Sequence, residues 1–124
     1  CKSLADYVLL DCTSSLDDPL SVYGMAAADK AVQLVTPDIR SAAYYASFEK
    51  TYEKIKGKSI GVINITDKDL YLPVGEVKAG FANAKYILPY SMYLKQQYIT
   101  GELTHKIPDQ KFSAVCRGIA GAVL

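Results

Sequence analysis

Four short apolar runs constrain the fold of this 124-residue chain more than any other feature. The runs are ADYVLLDC at 5–12, AVQLVT at 31–36, SIGVINI at 59–65 and YIL at 86–88. Apolar runs of this length are typical of parallel strands that are covered on both faces. Because a helix-like stretch follows each run, the sequence predicts a parallel sheet whose strands are joined by right-handed crossover helices.

The stretches between the runs carry signals for helix starts and stops. Pro19 stands at the expected first position of a helix over 20–28. Thr36-Pro37-Asp38 predicts the start of a longer helix that continues to about Lys56, with Thr36 as its cap. Three further helices are predicted over 75–83, after Ser91, and after Pro108-Asp109.

Length, charge and cysteine usage narrow the class of protein. A chain of 124 residues has room for one core, so a single α/β domain over 1–124 is expected. The formal net charge of +1 gives no electrostatic signal for nucleic acid. Three scattered cysteines without CxxC spacing, and no run of 18 apolar residues, favour a cytoplasmic protein without a membrane span. The first residue is Cys rather than Met, which indicates a piece of a longer protein.

Polar residues follow the predicted strands at their carboxyl ends. These residues are Asp11, Thr36-Pro37, Asn64 and Pro89-Tyr90. In open α/β sheets, ligands bind beyond the carboxyl ends of the strands, so these residues are candidate site residues. Taken alone, Asp11 has a second interpretation, in which it caps the turn formed by the polar residues 12–15.

The same residues, in the same order, resemble the C-terminal half of the ParA/MinD family of deviant P-loop ATPases, over essentially the whole chain. The matching pieces are DYVLLDC at 6–12, AADKAVQLVTPDIRSA at 27–42, GVIN at 61–64, AKYILPY at 84–90, and Gly101, Ile107, Pro108 and Phe112. The segment after Asp11 and the VTPDIRSA stretch are also similar to the atypical TadZ/CpaE type. Members of that type position pilus or secretion machinery at a cell pole.

The resemblance implies a three-layer parallel sheet with crossover helices, a partial P-loop NTPase-like fold that lacks the phosphate-loop strand. It implies ATP and Mg²⁺ as cofactors of the parent protein. Asp11 would be the catalytic strand-end acid that approaches the magnesium ion, usually through water. Asn64 would contact the adenine base, and Pro89 with Tyr90 would close over that base.

Three departures limit what these residues can do alone. Asp11 is followed by Cys12-Thr13 rather than Thr-Pro-Pro-Gly, and Asn64 by Ile65-Thr66 rather than a basic residue. No Gly-rich loop ending in Lys-Ser or Lys-Thr occurs, so there is no cradle for phosphates. The chain alone is therefore expected to bind nucleotide weakly and not to hydrolyse ATP.

By the resemblance, the phosphate-loop strand lies between the strand of Asp11 and the strand over 31–36. Without that strand, Tyr7–Leu10 would present an unpaired edge, and such edges pair with other chains. The expected partner is therefore a second copy, either as a homodimer or by self-pairing through the sheet edge.

Two alternatives stay open from the sequence. The chain is also compatible with a non-catalytic scaffold that works through tyrosine-rich surfaces, which suit protein contacts. A receiver-like or flavodoxin-like domain is a weaker alternative. Asp11, Asp17 and Asp18 offer the acids of a receiver, but no lysine ends the strand over 86–88.

Overall fold

The computed structural model describes residues 3–13, 15–69, 71–81, 83–102 and 108–124. Its strands are β1 (Ala31–Val35), β2 (Ser59–Asn64) and β3 (Ala84–Leu88). Its α-helices are α1 (Pro19–Ala27), α2 (Ile39–Ser47), α3 (Glu49–Glu53), α4 (Val74–Gly80), α5 (Met92–Thr100) and α6 (Gln110–Val123). A 3-10 turn over Lys56–Lys58 leads into β2.

The three strands form one parallel sheet in the order β1-β2-β3. Val35 lies opposite Ile63, and Ile63 lies opposite Ile87, so these three side chains share one face. The prediction of a parallel α/β sheet is confirmed for the runs at 31–36, 59–65 and 86–88. The central strand is β2, whose residues 59–63 are all buried.

Helices α2 and α4 cover the face that carries Val35 and Ile63. Val77 and Phe81 complete the buried cluster from α4 and the residue that follows it. Tyr45 of α2 meets the Phe81 ring edge-on, with 4.7 Å between the ring centroids, a favoured arrangement for aromatic pairs. This cluster is the main hydrophobic core.

Helix α6 covers the opposite face. Tyr86 of β3 donates a hydrogen bond from its hydroxyl to the Gly118 carbonyl oxygen at 3.0 Å. Phe112 in the first turn of α6 is buried, and Val62 of β2 has no exposed surface. The sheet is therefore a middle layer between helices, as expected for an α/β domain.

The first predicted strand is wrong. The described stretch 3–13 contains no strand, and the large apolar side chains of Tyr7–Leu10 are exposed, Leu9 by 90%. A strand forms only where a neighbour completes its ladder of hydrogen bonds, and no described strand pairs with this run. Asp11 therefore does not end a strand of the sheet, and the edge strands of the described sheet are β1 and β3 instead of Tyr7–Leu10.

The long helix predicted from Asp38 to Lys56 is also corrected. It breaks at Phe48, whose backbone angles of φ −115° and ψ 16° leave the helical region, and α3 begins after it. The cap is Asp38 rather than Thr36, because the Asp38 carboxylate accepts hydrogen bonds from the backbone N–H groups of Arg40 and Ser41. Pro37 precedes this cap instead of standing in the first turn.

Candidate functional site

The carboxyl ends of β2 and β3 form the edge where site residues were predicted. Asn64 is the last residue of β2, and Pro89 and Tyr90 directly follow β3. The backbone N–H of Ile65 donates to the Leu88 carbonyl oxygen at 2.9 Å, which ties the two strand ends together. The structure therefore holds Asn64 and Tyr90 at the carboxyl ends of adjacent strands, at the same edge of the sheet.

A pocket of about 280 Å³ opens at this edge. One side of the pocket is formed by the last residue of β2 and the two residues after it, and the other side by α5 and the two residues before it. The lining residues are Asn64, Ile65, Thr66, Tyr90, Ser91, Leu94, Lys95 and Tyr98. Small-molecule sites are usually concave and mostly apolar, with a few polar groups that fix orientation. Here Asn64, Thr66 and Ser91 supply such groups. Pro89 is half-buried and is not part of the lining.

The one charged side chain in the lining is Lys95. Its Nζ lies 5.6 Å from the centroid of the Tyr90 ring, within the range of a cation–π contact. No Asp or Glu belongs to the lining. The pocket therefore combines an amide, an aromatic ring and one positive charge.

Ser91, a lining residue of the pocket, stands at the N-cap position of α5 and is buried, and its hydroxyl has no hydrogen-bond partner among the described residues. Asp109 caps α6 by accepting the backbone N–H of Phe112 at 3.0 Å. That N–H, followed by the nearby Ser91 hydroxyl, lowers the pKa of Asp109, because both groups favour the charged carboxylate.

Asp11 lies away from this lining. Its segment is attached to α1 by a hydrogen bond of 3.0 Å from the Thr13 backbone N–H to the Ser21 hydroxyl. Nearby, Cys12 and Leu10 approach Gly24 so closely that a methyl group there would be 3.1 Å from the Cys12 sulfur. Within the described ranges, no three His, Cys, Asp or Glu side chains are grouped as a metal site would require.

Thr36 serves the helix start instead of the pocket. Its hydroxyl donates to the Asp38 carboxylate and lies 2.6 Å from the Ser41 hydroxyl. Ile107 of the sequence motif falls outside the described residues.

The tripeptide Gly57-Lys58-Ser59 has the residues that end a phosphate-binding loop, but its place in the fold is different. In such loops the lysine follows a strand and opens a helix. Here Lys58 precedes β2, at the opposite end of the strand from Asn64. Its Nζ donates to the carbonyl oxygens of Ala26 and Ala28, both at 2.7 Å, and so fastens the end of α1 to the sheet.

Sequence reasoning missed Thr66 and Lys95 as lining residues. The available signal was position: Thr66 follows β2 by two residues, and Lys95 stands in the first turns of the helix after β3. Side chains at such places face the carboxyl edge of a parallel sheet.

Comparison with known proteins gives no match to a family model, to a curated protein or to a solved structure. In the part of the chain that the structure describes, no helix has the length and apolarity needed to cross a membrane.

Proposed function

We propose that this chain supplies the adenine-side wall of a ParA/MinD-like ATP-binding domain, of the kind used in positioning, partitioning or pilus and secretion assembly. The observation that carries the proposal is the shared pocket of Asn64 and Tyr90 at the carboxyl edge of β2 and β3. These are two of the residues that the family resemblance assigns to the base.

The chemistry of the pocket suits a purine base. A side-chain amide both donates and accepts hydrogen bonds, which matches the donor and acceptor edge of adenine. The Tyr90 ring offers an aromatic face against which a planar base can stack. The pocket volume of about 280 Å³ suits a base better than a whole nucleoside triphosphate.

In this proposal the phosphates and Mg²⁺ are held mainly by residues that these 124 do not include. Magnesium sites commonly use one or two carboxylates together with substrate phosphates and water. Asp11 ends no strand of the sheet and lies away from the pocket lining, so the proposal assigns it no contact with the metal. The chain by itself is expected not to hydrolyse ATP, because phosphoryl transfer depends on positioning and charge stabilisation by a phosphate loop.

Binding of adenosine to the isolated chain tests the proposal, because this ligand needs no phosphate loop. In a ¹H–¹⁵N NMR titration, adenosine should shift the resonances of Asn64, Ile65 and Leu94, and guanosine should shift them less. Asn64→Ala should abolish the adenosine shifts. Gln96→Ala, an exposed change on α5 outside this pocket, is the matched control and should leave them unchanged. If Asn64→Ala binds adenosine as tightly as the wild type, the assignment of the base site is wrong.

A scaffold function is the second candidate, and one observation favours it. Tyr98 and Ile99 are adjacent on α5, and both are more than 80% exposed. Exposed aromatic and aliphatic side chains in one place are typical of protein-contact surfaces. An adenosine titration without any shift would leave this candidate as the better one.

A further inference from the structure

The pocket at the carboxyl edge of β2 and β3 holds a positive charge that no described carboxylate balances. Lys95 is the one charged residue of its lining. The Lys95 ammonium group lies 5.6 Å from the centroid of the Tyr90 ring, and no described Asp or Glu forms an ion pair with it. An ammonium group has three N–H donors and no acceptor, so this one lacks a charged acceptor beside the pocket.

The charge of Lys95 is directed toward the start of α5. Lys95 is the fourth residue of this helix, and long helical side chains extend back over the preceding turn. The place of its Nζ beside Tyr90, two residues before the helix, agrees with this direction. The ammonium group therefore lies at the end of α5 that opens on the pocket.

The start of α5 is also positive, and no side chain neutralises it. Ser91 makes no side-chain cap, and the first turn contains no acidic residue. The unpaired N–H groups of a helix start are equivalent to about half a positive charge. Because helix starts prefer negative charge, a lysine at this end is unfavourable by itself. An anion bound at this place would offset both positive groups.

Ser91 gives an independent indication at the same place. It lines the pocket, it is only 4% exposed, and its hydroxyl has no hydrogen-bond partner among the described residues. Buried hydroxyl groups are nearly always paired. Because a serine hydroxyl turns about a single bond, a ligand in the pocket can recruit it. Asp109, whose carboxylate lies near this hydroxyl, caps α6 and does not belong to the lining.

We propose that Lys95 and the start of α5 bind the phosphate group nearest the base of an adenine nucleotide. The inference rests on the proposed function, which places the base against Asn64 and Tyr90. In a 5′-nucleotide, ribose alone separates the first phosphate from the base, so one ligand can reach both groups. A base that stacks on Tyr90 replaces the ammonium group at the ring, and the ammonium group then pairs with the phosphate.

The inference gives this chain a ligand preference of its own. The 124 residues contain no phosphate-binding loop, so a loop cannot account for a preference for phosphate. A phosphate offers charged acceptors, whereas the ribose hydroxyl of adenosine at the same place is neutral. Charge-assisted hydrogen bonds are about twice as strong as neutral ones. AMP should therefore bind more tightly than adenosine.

Isothermal titration calorimetry of the 124-residue chain with adenosine and with AMP tests the inference. At low salt the wild type should bind AMP at least about tenfold more tightly than adenosine, the gain expected from one charge-assisted hydrogen bond. Raising the salt concentration should reduce this affinity ratio, because salt screens the attraction between exposed charges.

The affinity ratio in three lysine variants identifies the group that binds the phosphate. Lys95 is exposed, so its replacement should leave the fold intact. Lys95→Gln removes the charge and should reduce the ratio to less than about threefold. Lys95→Arg keeps the charge and should retain most of the ratio. Lys85→Gln is the matched control, because it removes the same charge from an exposed residue near the amino end of β3. It should show the ratio of the wild type.

Two results would overturn the inference while the proposed function stands. One is a wild-type chain that binds adenosine and binds AMP no more tightly. The other is a preference for AMP that Lys95→Gln leaves intact. If neither ligand binds, the proposed function and the inference both fail. Ribose 5-phosphate separates the two parts of the site: if it binds in a manner that depends on Lys95 while adenosine does not bind, the phosphate contact is supported and the adenine wall is wrong.

Discussion

Two apolar runs of four residues, Tyr7–Leu10 and 60–63, have opposite places in the molecule. Residues 60–63 lie in β2, between β1 and β3, and all four are buried. Tyr7–Leu10 has a similar apolar character, yet it forms no strand and its side chains are exposed. The composition of a run therefore does not decide whether it becomes a strand.

The difference between the two runs lies in their neighbours. Residues of β2 pair with β1 on one side and β3 on the other, and helices cover both faces. The contacts described for the Tyr7–Leu10 segment lie at its end, where Leu10 and Cys12 approach Gly24 and Thr13 donates to the Ser21 hydroxyl. Strand stability comes mainly from packing against neighbours, with intrinsic preference a smaller contribution.

The largest expected effect comes from shortening one side chain in each run. Ile63→Ala removes a side chain with no exposed surface and should lower the free energy of unfolding by about 2–5 kcal/mol, through lost burial and a residual cavity. Leu9→Ala, at a position that is 90% exposed, should change it by less than about 0.5 kcal/mol. Urea denaturation of both variants measures the contrast. Equal losses would show that Tyr7–Leu10 is packed in solution.

The sequence predicts most of the parallel sheet, because the information for β1, β2 and β3 is local. The chain shows these signals directly: the short apolar runs, Pro19 at the start of α1, Asp109 before α6, and Gly101 after α5. Gly101 takes the left-handed conformation there. Whether Tyr7–Leu10 finds a partner depends on residues far away in the chain. The break at Phe48 has no local signal, because no Gly or Pro occurs between Asp38 and Lys56.

The candidate site is also predicted only in part, because some of its residues follow from local sequence and others depend on packing. Asn64 and Tyr90 could be placed from strand ends alone, because the carboxyl ends of parallel strands share an edge. The placement of Asp11 at that edge failed with the strand that was to carry it. The positions of Thr66 and Lys95 after β2 and β3 indicate this edge, but whether their side chains line the pocket depends on how the segment after β2 packs against α5.

A second prediction concerns the backbone that lets β3 pair with β2. A methyl group added at Gly61 would lie 2.6 Å from the Asn83 backbone, where the register between β2 and β3 shifts. Gly61→Ala should therefore lower the free energy of unfolding by about 1–3 kcal/mol, the usual cost of overpacking.

Gly75→Ala in α4 is the matched control, because its added methyl group meets nothing within 4 Å. It should instead stabilise the helix slightly, since Ala loses less backbone entropy than Gly on folding. Thermal unfolding followed by circular dichroism separates the two. Loss of stability in both variants would mean that the close approach at Gly61 is not the cause.

The smallest expected effect compares two carboxylates, each a short distance after an apolar run. Asp38, after β1, accepts hydrogen bonds of 2.9 Å from the N–H groups of Arg40 and Ser41. Asp11, after Tyr7–Leu10, is exposed. Asp38→Ala should cost about 1 kcal/mol as a lost helix cap. Asp11→Ala should cost less than about 0.5 kcal/mol, as most exposed substitutions do.

The loss of stability in Asp38→Ala should depend on pH, and the sign of this dependence follows from the pKa of Asp38. The Thr36 hydroxyl, and then the Ser41 N–H, lower the pKa of Asp38 by bonding to its charged form. The carboxylate therefore stabilises the folded state fully above its unfolded pKa of about 3.9 and loses this contribution as pH falls through the lower folded pKa. Urea midpoints measured from neutral to strongly acid pH should show the gap between wild type and Asp38→Ala closing below about pH 4, while Asp11→Ala follows the wild type throughout. If Asp11→Ala instead reproduces the loss seen for Asp38→Ala, then Asp11 caps its own turn in solution, and the two runs differ less than their exposed surfaces indicate.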